Sequence, residues 1–369
     1  MKFSAILGHE KEIERLKRAV EGKRIAHAYL FSGPEGIGKR LVAGSFAAAL
    51  NCSDFSGDSC GVCRSCKMFE AGSHMNLCVV EPEEDAGTTD DEEKPRRVVK
   101  KKKRARPVLK IDAIRGLQRA LRYRVESGTR VALVDGAHLM TRPTANALLK
   151  TLEEPPEGSI VVLLSSEPDS LLPTVLSRCQ RINFAPLPFE VVKKALVEKK
   201  GMGIEAASLV ARLSCGSLGW AYEAADEGAL EKRKAFFERF LRLDSSDIAG
   251  ILDFSAALSK EDSPEEAMEF LKDILRDILV SGAGCPELVL NSDMAGFLKS
   301  ASAGAASLGK DWFNAVCEAF TLAEDARISM LPPRYANKNL AMDALFIRVF
   351  RGAMGRRAIL KQARHPRPN

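Results

Sequence analysis

Residues 27–40 read HAYLFSGPEGIGKR, and this stretch decides the fold. Residues 28–31 are apolar, as in a short buried strand, and the glycine-rich turn GPEGIG follows them. The next residues, KRLVAGSFAAALN (39–51), have the composition of an alanine-rich helix. Because a strand, a glycine-rich turn and a helix in this order form the frame of a phosphate-binding loop, the stretch predicts an α/β domain of nucleotide-binding type.

The loop departs from the complete phosphate-binding pattern at its last position. That pattern is G-x-x-x-x-G-K followed by Ser or Thr, whose hydroxyl binds Mg²⁺. Gly33, Gly38 and Lys39 match, with Gly36 between them, but Arg40 takes the place of the hydroxyl residue. Since a guanidinium offers no oxygen to a metal ion and repels it, we expect ATP or ADP to bind weakly, if it binds at all.

A second part of the predicted nucleotide site is also altered. The apolar stretch RVALVDGAH (130–138) predicts a buried strand that ends in Asp135, the expected metal-associated carboxylate. In an ATPase a glutamate commonly follows this aspartate and activates water, whereas here Gly136 follows, and His138 has the wrong spacing. The chain is therefore not expected to hydrolyse ATP by itself, and these residues are also compatible with a purely structural turn.

Further strands and helices alternate along the first half of the chain. SIVVLLSS (159–166) and CQRINF (179–184) predict two more strands, while DAIRGLQRALRYRV (112–125) and TANALLKTLEEPP (144–156) predict helices. Apolar strands separated by helices are typical of a parallel sheet that is covered on both faces.

Changes in pattern divide the chain into three expected domains. Residues 1–186 form the α/β domain, residues 187–228 a small helical domain, and residues 229–369 an all-helical domain. Within the first, EPEEDAGTTDDEEKPRRVVKKKKRARP (81–107) is acidic and then basic, with almost nothing to bury, so it predicts a disordered insertion over 82–107. Either this insertion is a solvated segment, or its basic half contacts nucleic acid.

Four cysteines cluster after the first predicted helix. Cys52, Cys60, Cys63 and Cys66 have the spacing C-x7-C-x2-C-x2-C, which lets four thiolates complete a tetrahedron around Zn²⁺. Such a closed site is structural, because it leaves no position for a catalytic water. We therefore predict a zinc module over about 52–72, and we interpret the nearby His74 as an ordinary surface residue.

Composition sets broader limits. The chain has 369 residues with a formal net charge of +6, which permits a nucleic-acid partner without demonstrating one. No apolar run reaches the roughly 18–20 residues of a membrane span, and the charged N-terminal stretch does not have the pattern of a signal peptide. We expect a cytoplasmic protein with no membrane partner, whose cysteines are reduced.

The motifs together resemble those of one family. HAYLFSGPEGIGKR (27–40), the four-cysteine module, ANALLKTLEEPP (145–156) and LLPTVLSRCQRINF (171–184) have the order and spacing found in bacterial clamp-loader subunits, which are AAA+ proteins. The resemblance covers residues 1 to about 225 and is limited to helical content beyond. It implies an AAA+ α/β domain with an inserted zinc module, a helical lid, and a C-terminal helical collar for oligomerisation. The implied partners are the ATPase subunits and delta subunit of a hetero-oligomer, a sliding clamp, and primed DNA.

The resemblance also assigns a role to the sequence SRC at Ser177, Arg178 and Cys179. In the family this motif presents an arginine finger to the ATP of the neighbouring subunit, where the guanidinium stabilises charge on the phosphoryl oxygens. GSLGWA (216–221) stands where the motor subunits carry a phosphate-sensing arginine. The resemblance thus implies a stator that helps to load the clamp and supplies Arg178 in trans.

Two other functions stay open. One is an ATP-hydrolysing motor, either a clamp-loader ATPase subunit or a branch-migration helicase, against which Arg40 and Gly136 argue. The other is a zinc-dependent DNA-binding protein that acts alone through its basic insertion.

Overall fold

The structure is a computed structural model that describes residues 1–84, 107–122, 127–226, 228–244, 246–260, 264–303, 309–330 and 337–350. The chain forms two compact units. The first comprises Met1–Val192 together with Cys215–Trp220, and the second comprises Lys193–Ser214 and the residues from Ala221 onward. The expected three-domain division, with 187–228 separate from 229–369, stays a prediction.

The first unit is built on a parallel sheet, as the sequence predicts. Its five strands have the order β2-β5-β6-β1-β7, and a separate two-stranded ribbon pairs β3 with β4. The strands are β1 (Ala28–Ser32), β2 (Leu77–Val80), β3 (Glu83–Glu84), β4 (Pro107–Val108), β5 (Arg130–Val134), β6 (Ser159–Ser165) and β7 (Gln180–Asn183). Because the five strands of the sheet are parallel, the segments that follow β1, β2, β5 and β6 all lie at one edge of the sheet.

Helices cover both faces of this sheet. They are α1 (Glu10–Glu21), α2 (Lys39–Leu50), α3 (Arg64–Glu70), α4 (Ile111–Arg122), α5 (Arg142–Glu153) and α6 (Pro173–Leu176). Tyr29 and Phe31 of β1 pack in one hydrophobic core with α1 and α2, whereas Ala28 and Leu30 pack in a second core with α4 and α5. This alternation follows from the two-residue period of a strand and confirms the predicted covering of both faces.

Two features of the first unit differ from the sequence prediction. The sequence pattern missed β2, an edge strand whose Cys78 is half-buried and whose Val79 is exposed. The predicted disordered insertion over 82–107 is wrong at its ends, because Glu83 and Glu84 pair with Val108 and Pro107 in the ribbon. Residues 85–106 of that insertion lie outside the described residues.

Residues beyond β7 form helices wherever the structure describes regular elements. These are α7 (Phe189–Lys200), α8 (Ile204–Leu213), α9 (Leu218–Asp226), α10 (Ala229–Phe240), α11 (Ile248–Ser259), α12 (Pro264–Gly282), α13 (Ala295–Ser302), α14 (Lys310–Met330) and α15 (Lys338–Arg348), together with short 3₁₀ turns. Phe236, Phe240, Phe254 and Phe346 are buried in the core of the second unit. Among the described helices, none combines the length and the apolar character needed to cross a membrane.

Candidate functional site

The glycine-rich loop between β1 and α2 has backbone angles that only glycine adopts readily. Gly33 has a φ of +147°, and a Cβ at this position would lie 2.2 Å from the carbonyl oxygen of Phe184. Gly38 precedes the first residue of α2 with a φ of 105°. The loop therefore starts the helix at the edge where the strands end, as the sequence predicts.

The lysine of the loop is bound to the loop itself. The Lys39 ammonium donates hydrogen bonds to the carbonyl oxygens of Gly33 (2.6 Å) and Pro34 (2.5 Å), and the side chain is buried. Burial lowers the pKa of Lys39, although the carboxylates of Asp135 and Glu35 oppose this effect. These two hydrogen bonds use two of the three N–H donors of the ammonium group, so one donor is left for a phosphate oxygen.

The arginine in the metal-ligand position contacts two carboxylates. Arg40 Nη1 lies 3.2 Å from Asp135 Oδ2, and Arg40 Nη2 forms an ion pair with Glu81 Oε1. Asp135 Oδ1 also accepts a hydrogen bond from the Gly136 backbone N–H (2.9 Å). The structure thus joins Arg40 and Asp135, two of the residues singled out in the sequence, and adds Glu81. A guanidinium faces the carboxylate that would otherwise be available to a metal ion.

A second segment packs directly on the glycine-rich loop. The backbone N–H of Gly219 donates to the carbonyl oxygen of Gly36 (2.7 Å). A Cβ on Gly36 would lie 2.2 Å from Ser217 Oγ and 3.2 Å from the backbone nitrogen of Trp220. Residues 217–220 therefore confine the loop closely at Gly36.

His138, three residues after Asp135, contacts the fold through one ring nitrogen. Its Nε2 lies 3.1 Å from Ser166 Oγ, and its buried Nδ1 has no hydrogen-bond partner among the described residues. Burial lowers the pKa of His138 and favours the neutral ring. Its contact with Ser166 gives it a partner within the fold, and the position after Asp135 carries only the hydrogen of Gly136.

Arg178 follows α6 on the surface of the first unit, with a defined orientation. Nη1 donates to the Thr174 carbonyl oxygen (2.9 Å) and lies 3.5 Å from Ser177 Oγ, while Nη2 pairs with Glu153 Oε1 at 2.7 Å. About a third of the side chain stays exposed, at 35%. The sequence singled out Arg178 but not Glu153, which ends α5.

The four cysteines converge as predicted. Their sulfur atoms all lie within 4.8 Å of one another, and Cys66 is buried while the other three are half-buried. A tetrahedron of thiolates about 2.3 Å from a zinc ion has edges of roughly 3.8 Å, so the group needs only a small contraction to bind Zn²⁺. The donor set fits a structural zinc ion, which Cys52, Cys60, Cys63 and Cys66 would hold.

Backbone N–H groups are also directed at the sulfur atoms. Cys60 N, Cys63 N and Cys66 N donate to the sulfurs of Cys52 (3.3 Å), Cys60 (3.4 Å) and Cys63 (3.4 Å). The hydrogen bond from Cys66 N lowers the pKa of Cys63, whereas burial raises the pKa of Cys66. The turns therefore favour thiolate at Cys63 before any metal binds.

The cysteine module also contacts the N-terminal segment. Asp58 accepts hydrogen bonds from the backbone N–H groups of Phe3 (3.0 Å) and Ser4 (2.9 Å), and Ser59 Oγ donates to the Met1 carbonyl oxygen (2.6 Å). These contacts connect the turns between Cys52 and Cys60 to the beginning of the described chain.

The interpretation of His74 as a surface residue is wrong. The side chain is buried, its ring stacks on Phe69 with centroids 4.1 Å apart, and its Nε2 lies 3.0 Å from Ser65 Oγ. His74 Nδ1 accepts a hydrogen bond from the Asn76 backbone. Histidine is amphipathic, so one ring face packs under α3 while both nitrogens are hydrogen-bonded.

The strand order, with the glycine-rich loop after a strand that lies inside the sheet, places the first unit among the α/β proteins with a parallel sheet. Residues 8–188 match the family described as DNA polymerase III, delta subunit. This part of the chain therefore resembles subunits of the bacterial clamp loader.

Curated relatives are subunits of bacterial DNA polymerase III. The chain is 35% identical to the delta' subunit of Pseudomonas aeruginosa over 61% of its own length and 63% of the relative's. It is 32% identical to the delta' subunit of Bacillus subtilis over half of each chain. Identity to the Bacillus subtilis tau subunit is 31%, over 62% of this chain and 36% of the relative. The chain therefore spans between about a third and two thirds of the length of these relatives.

Solved structures with a similar chain include a gamma subunit-related protein from Thermotoga maritima. It shares 20% identity, with a TM-score of 0.41, over 92% of this chain and 99% of that chain. A single-residue variant of RuvB from the same organism shares 16% identity, with a TM-score of 0.40, over 75% of this chain and 77% of that chain.

Proposed function

We propose that this chain is a stator subunit, of delta' type, in a DNA polymerase III clamp loader. In this role it helps to load a sliding clamp onto primed DNA in the bacterial cytoplasm, does not hydrolyse ATP by itself, and supplies Arg178 to the ATP of a neighbouring subunit. The observation that carries the proposal is the ion pair between Arg40 and Asp135 at the position of a metal site.

Loss of hydrolysis follows from the chemistry of the loop. Phosphoryl transfer needs a divalent cation on the phosphates and a group that orients water. Arg40 places a positive charge against Asp135, and Gly136 offers no side chain to the water. The loop backbone with Lys39 is retained, so weak binding of ATP or ADP is the most that we assign to this site.

A role in trans for Arg178 agrees with its surroundings. Its guanidinium lies on the surface after α6, not among Lys39, Arg40 and Asp135, the residues that contact one another at the nucleotide-type loop. A planar guanidinium donates two hydrogen bonds to a phosphate in a fixed geometry, which an ammonium cannot reproduce. We therefore assign the finger to the nucleotide of the next subunit, and we assign contacts with the ATPase subunits, the delta subunit and the clamp to the assembled complex.

Zinc completes the proposal as a structural ion. The Cys52, Cys60, Cys63 and Cys66 sulfurs use all four positions of a tetrahedron, which leaves none for a reacting molecule. The ion would hold the turns of the module, and with them the contacts that Asp58 makes to Phe3 and Ser4.

The test is the ATPase of a reconstituted complex that contains Arg178→Ala or Arg178→Lys. An arginine finger contributes about 10³–10⁵ in rate in GTPases, and a complex with several ATP sites should lose less because its other sites keep their own fingers. We expect Arg178→Ala to lower phosphate release stimulated by DNA and clamp, and Arg178→Lys to restore little of it.

Arg18→Ala is the matched control, because Arg18 is also an exposed arginine paired with a glutamate, Glu14, at 2.9 Å. It should leave the rate unchanged. Zinc content and subunit composition are measured for every complex. A wild-type rate from a complete Arg178→Ala complex would refute the finger.

A motor subunit of gamma/tau type is the second candidate, because the identity to the tau subunit, 31%, is nearly as high as that to the delta' subunits. An ATPase assay on the purified chain, without any other subunit, distinguishes the two candidates. Sustained, magnesium-dependent ATP hydrolysis by the purified chain would favour the motor, and it should disappear in a Lys39→Ala variant if it is intrinsic.

A further inference from the structure

Glu153 has no role in the function proposed above, but it contacts the Arg178 side chain more closely than Thr174 or Ser177 does. Glu153 Oε1 lies 2.7 Å from Arg178 Nη2, and half of the Glu153 side chain is exposed. Such a pair is either an ordinary surface ion pair or a means of orienting the guanidinium. The surroundings of the two residues distinguish these alternatives.

Glu153 stands at a fixed point of the fold. It is the last residue of α5, which begins after Thr141, whose side chain accepts a hydrogen bond from Thr144 N. Leu148 and Leu152 on this helix are buried, and Pro155 and Pro156 prevent the helix from continuing. The position of the carboxylate is therefore fixed by a helix that is capped at its start, packed through two buried leucines and ended by two prolines.

The backbone of Arg178 is anchored as well. Its N–H donates to the Val175 carbonyl oxygen (3.2 Å), and the Val175 side chain is fully buried. The guanidinium contacts the Thr174 carbonyl oxygen and Ser177 Oγ through Nη1 and Glu153 through Nη2. Since an arginine has five N–H donors, these three contacts leave the Nε donor and one Nη2 donor for a further acceptor.

We propose that Glu153 is a positioning residue for Arg178, which it holds with its Nε and Nη2 donors available to a phosphate of the neighbouring subunit. This inference rests on the proposed role of Arg178 in trans. The carboxylate pulls the planar group toward α5 while Thr174 fixes the opposite terminal nitrogen. Two contacts at different nitrogens determine the plane of a guanidinium, whereas the Thr174 contact alone would let it rotate.

The substitution Glu153→Gln tests the proposal in the reconstituted complex. It keeps the size of the side chain and a hydrogen-bonding oxygen, but it removes the charge. We expect the ATPase kcat to fall by about fivefold with little change in KM, a smaller effect than that of Arg178→Ala, because a half-exposed ion pair orients its partner only weakly. Glu154→Gln, at the exposed neighbouring residue, is the matched control and should keep the wild-type rate.

A double-mutant cycle separates positioning from a general structural effect. In the Arg178→Ala complex, the added Glu153→Gln substitution should cause no further loss, because the group that Glu153 orients is already absent. Equal losses in both backgrounds, or a faster Glu153→Gln complex, would overturn the role of Glu153. If Arg178→Ala itself left the rate unchanged, the proposed function would fail first. A slow Arg178→Ala complex beside a wild-type Glu153→Gln complex would refute only Glu153.

Discussion

The glycine-rich loop and the cysteine module are both sites that the sequence predicts, yet the structure completes only one of them. In the cysteine module, all four predicted side chains converge, with their sulfurs within 4.8 Å of one another. In the loop, the backbone is complete, but Lys39 binds the loop's own carbonyl oxygens and Arg40 binds Asp135. The difference is between a site whose ligands face a shared centre and one whose charged groups neutralise one another.

This contrast shows that a loop can keep its backbone conformation when its side chains are not arranged to bind a ligand. The turn at Gly33 is required by the packing against Phe184, whether or not a nucleotide binds. The cysteine turns have less support of this kind: Asp58 and Ser59 contact residues 1–4, but three of the four thiols are only half-buried. We therefore expect the loop to keep its shape without a ligand, and the cysteine module to depend on its metal ion.

The largest expected effect is the loss of the metal ion from the cysteine module. Purified, reduced protein should contain about one equivalent of zinc, and Cys63→Ser should release it, because three thiolates leave the tetrahedron open. Residues 52–72 should loosen while the helices of the second unit stay folded. Elemental analysis and hydrogen exchange measure the two effects.

Cys317→Ser is the matched control, since Cys317 is a half-buried cysteine of α14 outside the cluster. It should keep its zinc. A freshly purified, reduced wild-type protein without zinc would contradict the metal site itself.

An intermediate effect, on the free energy of unfolding, is expected when a substitution adds a methyl group to Gly36 of the loop. Gly36→Ala combines a φ of +71° with the 2.2 Å approach to Ser217 Oγ, so we expect it to lower the free energy of unfolding by roughly 2–3 kcal/mol. Gly158→Ala has a nearly identical φ of +72° with open space around its Cβ, and it should cost only about 1 kcal/mol. Chemical denaturation compares the two variants. Equal costs would mean that the segment 217–220 does not confine the loop.

The smallest effect concerns Arg40. Because about half of the Arg40 and Glu81 side chains and about a third of the Asp135 side chain are exposed, we expect Arg40→Thr to change the free energy of unfolding by no more than about 1 kcal/mol. Nucleotide binding to the wild-type protein should be weak and nearly independent of Mg²⁺. The variant should gain some Mg²⁺ dependence, but no ATPase activity, because Gly136 still leaves the water unactivated.

Titration with a fluorescent ATP analogue, with and without EDTA, measures this dependence. Tight and strictly magnesium-dependent binding by the wild-type protein would reverse the contrast between the two regions and support the motor candidate.

Sequence patterns correctly predicted the features that depend only on residues close together in the sequence. The strand, turn and helix over 27–51 and the spacing of Cys52 to Cys66 are properties of short segments, and both formed as expected. The edge strand β2 was missed because Leu77–Val80 is only four residues long and only Val80 is buried. At an edge, the alternating apolar pattern that marks a strand is weak.

Contacts between distant segments were beyond the reach of these patterns. Glu81 and Glu153 became partners of Arg40 and Arg178 only through the packing of separate strands and helices. A lone glutamate near a turn has the same sequence signature whether it pairs or faces solvent. The interpretation of His74 as a surface residue was wrong for a similar reason, because its stacking on Phe69 depends on how the segment folds back after α3.

The strand order has a consequence for the time course of synthesis. β1 pairs with β6 and β7, so Ala28 meets Val161, and Tyr29 meets Gln180. At about 5–20 residues per second, a ribosome would need roughly 7–30 s after β1 to produce both partners. The four cysteines, in contrast, emerge within a few seconds of one another. The cysteine module can therefore form while β1, a fully buried strand, still lacks its neighbours.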